Sequence, residues 1–169
     1  SNEATRWERL GGAEDLVRAE ALLRQAIAVD PRQVQAWQRL ARVQQSGGRA
    51  AEAERTLAAG ALRADLPYLL QKDLINLYMQ QERFDEALPR LDQYLRERPR
   101  DGDALHALAI ALAGAGRLGA ALEAAARLMA EAPGDPRGWI DRGVLLARSG
   151  RPAEARAVFA EGLRRFPGN

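Results

Sequence analysis

Few side chains in this sequence could carry out catalytic chemistry. His106 is its single histidine, Lys72 its single lysine, and cysteine is absent. An imidazole can act as general base or metal donor, but each role needs a partner group at a defined spacing. No His-Glu-x-x-His stretch, no Gly-rich loop ending in Gly-Lys and no cysteine nucleophile supplies one. The acid pairs Glu52 with Glu54 and Asp85 with Glu86 fall near the starts of predicted helices, where the helix dipole alone accounts for negative charge. The sequence therefore predicts no enzyme, no metal site and no cofactor. The absence of cysteine also excludes a disulfide framework, while fitting a reducing or an oxidising compartment equally.

Binding chemistry is better represented. There are 24 arginines, but they scatter along the chain among 23 acidic residues and leave a net charge of +2. So small and so mixed a charge excludes nucleic acid as the expected partner. The sequence pI of 9.5 reflects how hard arginine is to deprotonate. The preference for arginine over lysine reads as genome composition, and with it a bacterial origin, in cytoplasm or periplasm. The longest apolar run, from Ala107 to Ala115, is too short to span a membrane. Ser1 and Asn2 read as the scar of a removed tag, on which view the sequence is cut from a longer protein.

These side chains must be positioned by helices, because the chain is rich in Ala and Leu and poor in the β-branched and aromatic residues that build sheets. Ala19, Ala53, Ala87, Ala121 and Ala155 stand 34 residues apart, which defines five units. Pro31, Pro99, Pro133 and Pro167 follow four of these alanines at a constant distance, while the second unit has Asp65 and then Pro67. Proline cannot continue a helix and so closes each unit. Within the units, Gly48-Arg49, Glu82-Arg83, Gly116-Arg117 and Gly150-Arg151 predict breaks, where glycine can take the left-handed conformation that ends a helix. Each unit is thus two helices of about 14 residues with apolar stripes at helical spacing. The expected bounds are an irregular unit over 1–31, then 32–65, 66–99, 100–133 and 134–169, as one continuous domain. Pro89 predicts a kink or a late start in its helix.

With Trp139, Gly143, Ala155, Phe159 and Pro167 in the fifth unit, the sequence resembles the tetratricopeptide repeats, and the likeness spans nearly the whole chain. The departures are a short first helix holding Trp7 and Leu10 ahead of Gly11-Gly12, and Gln44, Leu112 and Leu146 where an aromatic is expected. Trp7, Trp37 and Trp139 read as packing residues. The resemblance implies an all-α fold, an α-solenoid of stacked antiparallel helix pairs in a right-handed superhelix. It also implies a protein-interaction scaffold that takes a peptide or protein segment in a concave groove lined by the first helices. The alternative is a regulatory or targeting arm of a larger enzyme whose catalytic domain lies outside this sequence.

On that implication the groove carries Gln35, Gln38, Arg42, Gln45 and Ser46 in the second unit, then Lys72, Asn76, Met79 and Gln80. It continues with His106, Ile110 and Ala113, and ends with Arg137, Ile140, Val144 and Ala147. The binding residues expected among these are Gln38, Arg42, Lys72, Asn76, Met79, His106, Ile110, Ile140 and Val144. The donor-rich first half suits carboxylates or peptide carbonyls, hence an acidic partner, and the second half suits an apolar anchor. Some members of the family clamp the acidic tail of heat-shock chaperones. Lys72, Asn76 and Arg137 match that clamp, but Ala107 and Asp141 replace two of its members, and an acid there repels a carboxylate. A looser, anion-preferring groove is the expectation. The final helix, with Val158, Phe159, Leu163 and Phe166, is expected to leave apolar surface uncovered and to cause weak self-association.

Overall fold

The computed structural model describes residues 13–167, and all regular structure among them is helical. Trp7, Leu10 and the short first helix expected around them lie outside the described residues. The described residues form nine helices, α1 (Ala13–Val29), α2 (Val34–Ser46), α3 (Ala50–Ala61), α4 (Pro67–Gln80), α5 (Phe84–Glu97), α6 (Gly102–Gly114), α7 (Leu118–Glu131), α8 (Arg137–Arg148) and α9 (Pro152–Arg165). Chain contacts divide them between two compact units, one up to Leu77 and one from Tyr78 onward, with the division falling inside α4. In the first unit α2 packs on both α1 and α3. In the second each helix from α5 to α9 packs on the next, and α6 also touches α8.

The break within each repeat is one structure used four times. At the end of α2 the Arg49 amide donates to the Gln44 carbonyl at 2.8 Å and the Gly48 amide to Gln45 at 2.9 Å. These bonds satisfy the last carbonyls of the helix and need a left-handed residue at the turn. Gly48, Gly116 and Gly150 supply it with φ of 73°, 75° and 73°, and Glu82 takes the same role at 55°. The arginine that follows then opens the next helix, and at three of the four breaks it reaches an acid three residues on, Arg49 to Glu52 at 3.2 Å, Arg83 to Glu86 at 2.9 Å and Arg151 to Glu154 at 2.7 Å. The acids expected to answer only to the helix dipole therefore also hold these arginines. Exposed pairs of this kind add little stability.

The repeat alanines are the seam of the structure. Ala19, Ala53, Ala87 and Ala121 are 0% exposed and Ala155 3%. Glycines extend the close approach: a Cβ on Gly60 would lie 2.7 Å from Trp37 Cγ, and one on Gly114 or Gly143 would come 2.3 Å from the ring of Phe84 or Phe159. Trp37 is a buried packing residue, as expected, and its indole N–H donates to the Pro31 carbonyl at 2.9 Å. Pro89 does not delay its helix: α5 begins at Phe84 and runs unbroken to Glu97. Pro89 lies on the exposed side, where water can take the carbonyl that the missing amide leaves.

Gln44, where an aromatic was expected, is 2% exposed and sits in a small polar cluster. Thr56 Oγ1 donates to its side-chain oxygen at 2.7 Å. Beside it Glu20, 6% exposed, accepts from Arg49 at 2.6 Å and lies 2.7 Å from Arg24. The Arg49 guanidinium, against the opposing effect of burial, holds the Glu20 carboxyl below its ordinary range. Around this cluster Ala19, Leu23, Leu40 and Val43 form an apolar core with Leu16 and Ile27 at its margin.

Two stability changes follow. Alanine is preferred over glycine inside a helix by about 0.8–1 kcal/mol. At Gly60, however, the added Cβ meets Trp37 and Leu70, which are 5% and 0% exposed and have nowhere to go. Overpacking costs about 1–3 kcal/mol, so Gly60→Ala should destabilise by about 1–2 kcal/mol in urea unfolding. Glu82→Gly should do the reverse. A left-handed non-glycine residue costs about 1–2 kcal/mol, part of which glycine returns as unfolded-chain entropy. A gain of about 0.5–1 kcal/mol is expected, read as a raised thermal midpoint.

Candidate peptide-binding surfaces

In the first unit, α2 and α4 present their outward residues side by side. Gln38 Nε2 donates to Asp73 Oδ2 at 2.6 Å and ties the two helices. One turn further on, Arg42 and Asn76 occupy equivalent repeat positions and are both exposed, while Gln38 and Lys72 are half-buried. Arg42 makes no ion pair among the described residues, so its five donors are available to a ligand.

The second unit repeats this tie one residue off the repeat period. His106 Nδ1 lies 2.6 Å from Asp141 Oδ2, across from α6 to α8. Sequence reasoning placed His106 on an open surface, but the ring is half-buried and engaged. It also read Asp141 only as a repulsive charge, whereas it is the acceptor for the imidazole. The signal was present: Gln38 with Asp73 and His106 with Asp141 share a spacing of 35 residues, one more than the repeat. Arg137, matched to a basic clamp position, is likewise engaged. Its guanidinium holds Asp135 at 2.6 Å and Asp103 at 2.8 Å. These bonds raise the Arg137 pKa above its usual value and lower that of Asp135. A ligand carboxylate would have to displace both acids.

Beyond the tie, α6 and α8 open an apolar cleft of about 280 Å³. Phe84, Ile110, Val144 and Arg148 line it, with Ala113 and Gly114 also contributing. Ile110 and Val144 stand at the repeat position of Arg42 and Asn76 and are 42% and 45% exposed. Ala113, expected to face a ligand openly, is only 6% exposed. Arg148 is exposed and, among the described residues, unpaired. Met79 is half-buried in this unit. Ile140 does not join this cleft but lines a second one with Trp139, Phe159 and Leu163, where Trp139 is half-buried and the Arg165 guanidinium lies 4.8 Å over its ring. Sequence reasoning missed Phe84 and Arg148, whose roles depend on how α5 and α8 are turned.

These surfaces offer hydrogen bonds, charge and apolar burial. Among the described residues no group of three or more His, Cys, Asp or Glu side chains is placed to hold a metal ion, and no helix is long and apolar enough to cross a membrane. A family model described as tetratricopeptide repeat matches residues 12–74, 78–140 and 112–169. The chain belongs to the tetratricopeptide repeat family. Tetratricopeptide repeat proteins generally mediate protein–protein interactions, and the fold is an interaction scaffold. Solved structures of the same fold include MamA, at 18% identity over 89% of this chain and 88% of that one, with a TM-score of 0.74. MamA from Desulfovibrio magneticus RS-1, residues 41 to the end, gives 14% identity over 97% and 95%, with a TM-score of 0.74. YrrB, described as a TPR protein with an unusual peptide-binding site, gives 21% over 96% and 84%, with a TM-score of 0.72. At these identities the likeness is one of fold. A comparison with curated proteins finds no match.

The Asp135–Arg137 pair predicts a pH dependence. Because the folded pKa of Asp135 is depressed, its contribution is present above the ordinary aspartate value of about 3.9 and is lost as pH falls through the lower folded value. Asp135→Asn should therefore have a lower thermal midpoint than the wild type at pH 7. The gap should narrow as pH is taken below about 4, as measured by circular dichroism melts of the two proteins in parallel.

Proposed function

We propose that this tetratricopeptide repeat protein binds peptide or protein segments on the outward faces of its first helices, the first unit taking an acidic stretch and the second seating an apolar side chain in the cleft between α6 and α8. The observation that carries this reading is the cleft itself, where two aliphatic side chains, Ile110 and Val144, stand exposed beside Arg148, which is unpaired among the described residues. Exposed aliphatic groups around a concave site gain free energy only when a ligand covers them. In the first unit Arg42, Lys72 and Asn76 supply donors for the acidic stretch and Gln38 holds neighbouring helices in place, as His106 does in the second. Copies of the chain would also associate weakly through the apolar end of the second unit, where Phe159 and Leu163 are exposed.

Affinity capture with the purified protein followed by mass spectrometry supplies the segment, and titration calorimetry tests the reading. Ile110→Asp with Val144→Asp should weaken binding by about tenfold or more, since it places charge in an apolar site. Arg42→Glu with Lys72→Glu should weaken it about three- to tenfold, and less so at high salt. Unchanged affinity in both folded double variants moves the site away from the first helices.

A further inference from the structure

The space beside the arginine of each left-handed turn is filled differently from repeat to repeat. In the second repeat the polar cluster of Glu20, Gln44, Arg49 and Thr56 fills it. In the third it holds the ring of Tyr78, 3% exposed, with the guanidinium carbons of Arg83 and Arg90 at 4.7 Å and 5.6 Å from the ring centroid. In the fourth, Leu112, Arg117 and Ala124 stand one repeat after Tyr78, Arg83 and Arg90. Leucine for tyrosine and alanine for arginine underfill the space, and a hollow of about 340 Å³ opens there between α5, α6 and α7.

The hollow has the lining of a ring site. Leu88, Leu108 and Ala124 are buried in it and Leu112 half-buried, while Asp92, Arg117 and Glu123 are exposed along it. At the other three breaks the turn arginine reaches a glutamate three residues on, but here that residue is Ala120, which also lines the hollow. The ion pair of Arg117 with Asp85, at 3.8 Å, joins two exposed side chains and adds little. Arg117 thus matches the arginine that stacks on Tyr78, without a ring of its own to cover. Arg127, also at the hollow, donates to the Pro99 carbonyl at 3.3 Å.

We propose that this hollow takes the side chain of a tyrosine or tryptophan presented by a protein partner. The ring lies on Leu112 and Ala124 beneath the Arg117 guanidinium, as Tyr78 lies beneath Arg83. Its hydroxyl or indole N–H donates to the carboxylate of Asp92 or Glu123, neither of which makes an ion pair among the described residues. The site is separate from the outward faces of the first helices. The repeat that follows it, α8 with α9, is in place and does not fill it. A second copy has no such ring to give among its described residues, because Trp37, Tyr78 and Tyr94 are buried and Tyr68 and Trp139 half-buried.

The probe is N-acetyl-tyrosinamide, titrated into the isotope-labelled chain and followed by amide NMR spectra. Saturable shifts are expected at Leu88, Leu112, Arg117 and Ala124, with N-acetyl-tryptophanamide acting alike and N-acetyl-leucinamide about fivefold weaker or more. Leu112→Tyr with Ala124→Arg rebuilds the filling of the third repeat and should weaken binding by about tenfold or more, with circular dichroism showing the variant folded. Arg117→Gln, at an exposed position, should weaken it about two- to fivefold. A capped pentapeptide with a central tyrosine should bind at least as well as the amide, and its failure to bind would assign the hollow to a free aromatic compound and overturn the protein source. Trp7→Ala should leave the affinity unchanged, whereas a gain would mean that Trp7 of this chain or of a second copy is the occupant, which also overturns it. Absence of saturable shifts, shifts centred on Ile110 and Val144 instead, an equal response to N-acetyl-leucinamide, or undiminished binding by both folded variants overturns the proposal outright.

Discussion

The close approach of neighbouring helices across glycine and alanine is the constraint on which the rest of the structure depends. A helix pair of this length cannot bury its apolar stripe unaided, and its neighbours must come near enough to cover it. Where Gly114 meets the Phe84 ring and Gly143 meets Phe159, the ring occupies the volume a side chain would need. The approach fixes how each helix is rotated. Once Ala41, Ala109 and Gly143 are turned inward, the residues one position further on, Arg42, Ile110 and Val144, can only face out. The binding surface is in that sense the reverse side of the packing.

Electrostatics then sorts the outward residues into those that hold the frame and those that remain for a ligand. Gln38 with Asp73 and His106 with Asp141 tie adjacent first helices, and Arg137 is committed to two acids. Short charge-assisted bonds of this kind are costly to replace, so the engaged groups act as fixed scaffold. Among the described residues Arg42 and Arg148 carry charge without such a commitment. An arginine-rich surface thus contributes far fewer recognition groups than its composition suggests.

The fold was legible in the sequence because its determinants are steric and local. Only a small residue fits at the Ala53 or Ala121 position, and only a left-handed residue closes the turn at Gly116, so both leave a mark in a single sequence. Glu82 shows the limit, since the turn forms there without the expected glycine. The candidate site was legible by position but less so by partner. Ile110, Val144 and Arg42 are exposed where the repeat register put them, whereas the engagement of His106 and the contribution of Phe84 depend on rotamers and helix rotation that a spacing of 34 does not encode. Gln44 is intermediate. Its departure from the aromatic pattern was visible, but not that Thr56 and Glu20 make a buried polar cluster around it.

A Cβ on Gly60 would lie 2.9 Å from Leu70 Cδ1 and one on Gly138 3.2 Å from Leu128 Cγ, so the same two repeat positions hold small with large at one junction and large with small at another. This exchange of volumes restricts how such a chain can evolve. Duplicating or deleting a whole unit preserves the period and the turns, and by those measures should be tolerated. Yet a recombinant that set the helix of Gly138 against Gly60 would leave a hole, and one that set the helix of Leu70 against Leu128 would overfill the same space. Either error costs on the order of 1–3 kcal/mol or more, a large part of the margin of a domain this size. The units are alike in backbone but not interchangeable, so their order along the chain is itself inherited information, guarded by side-chain size at each junction.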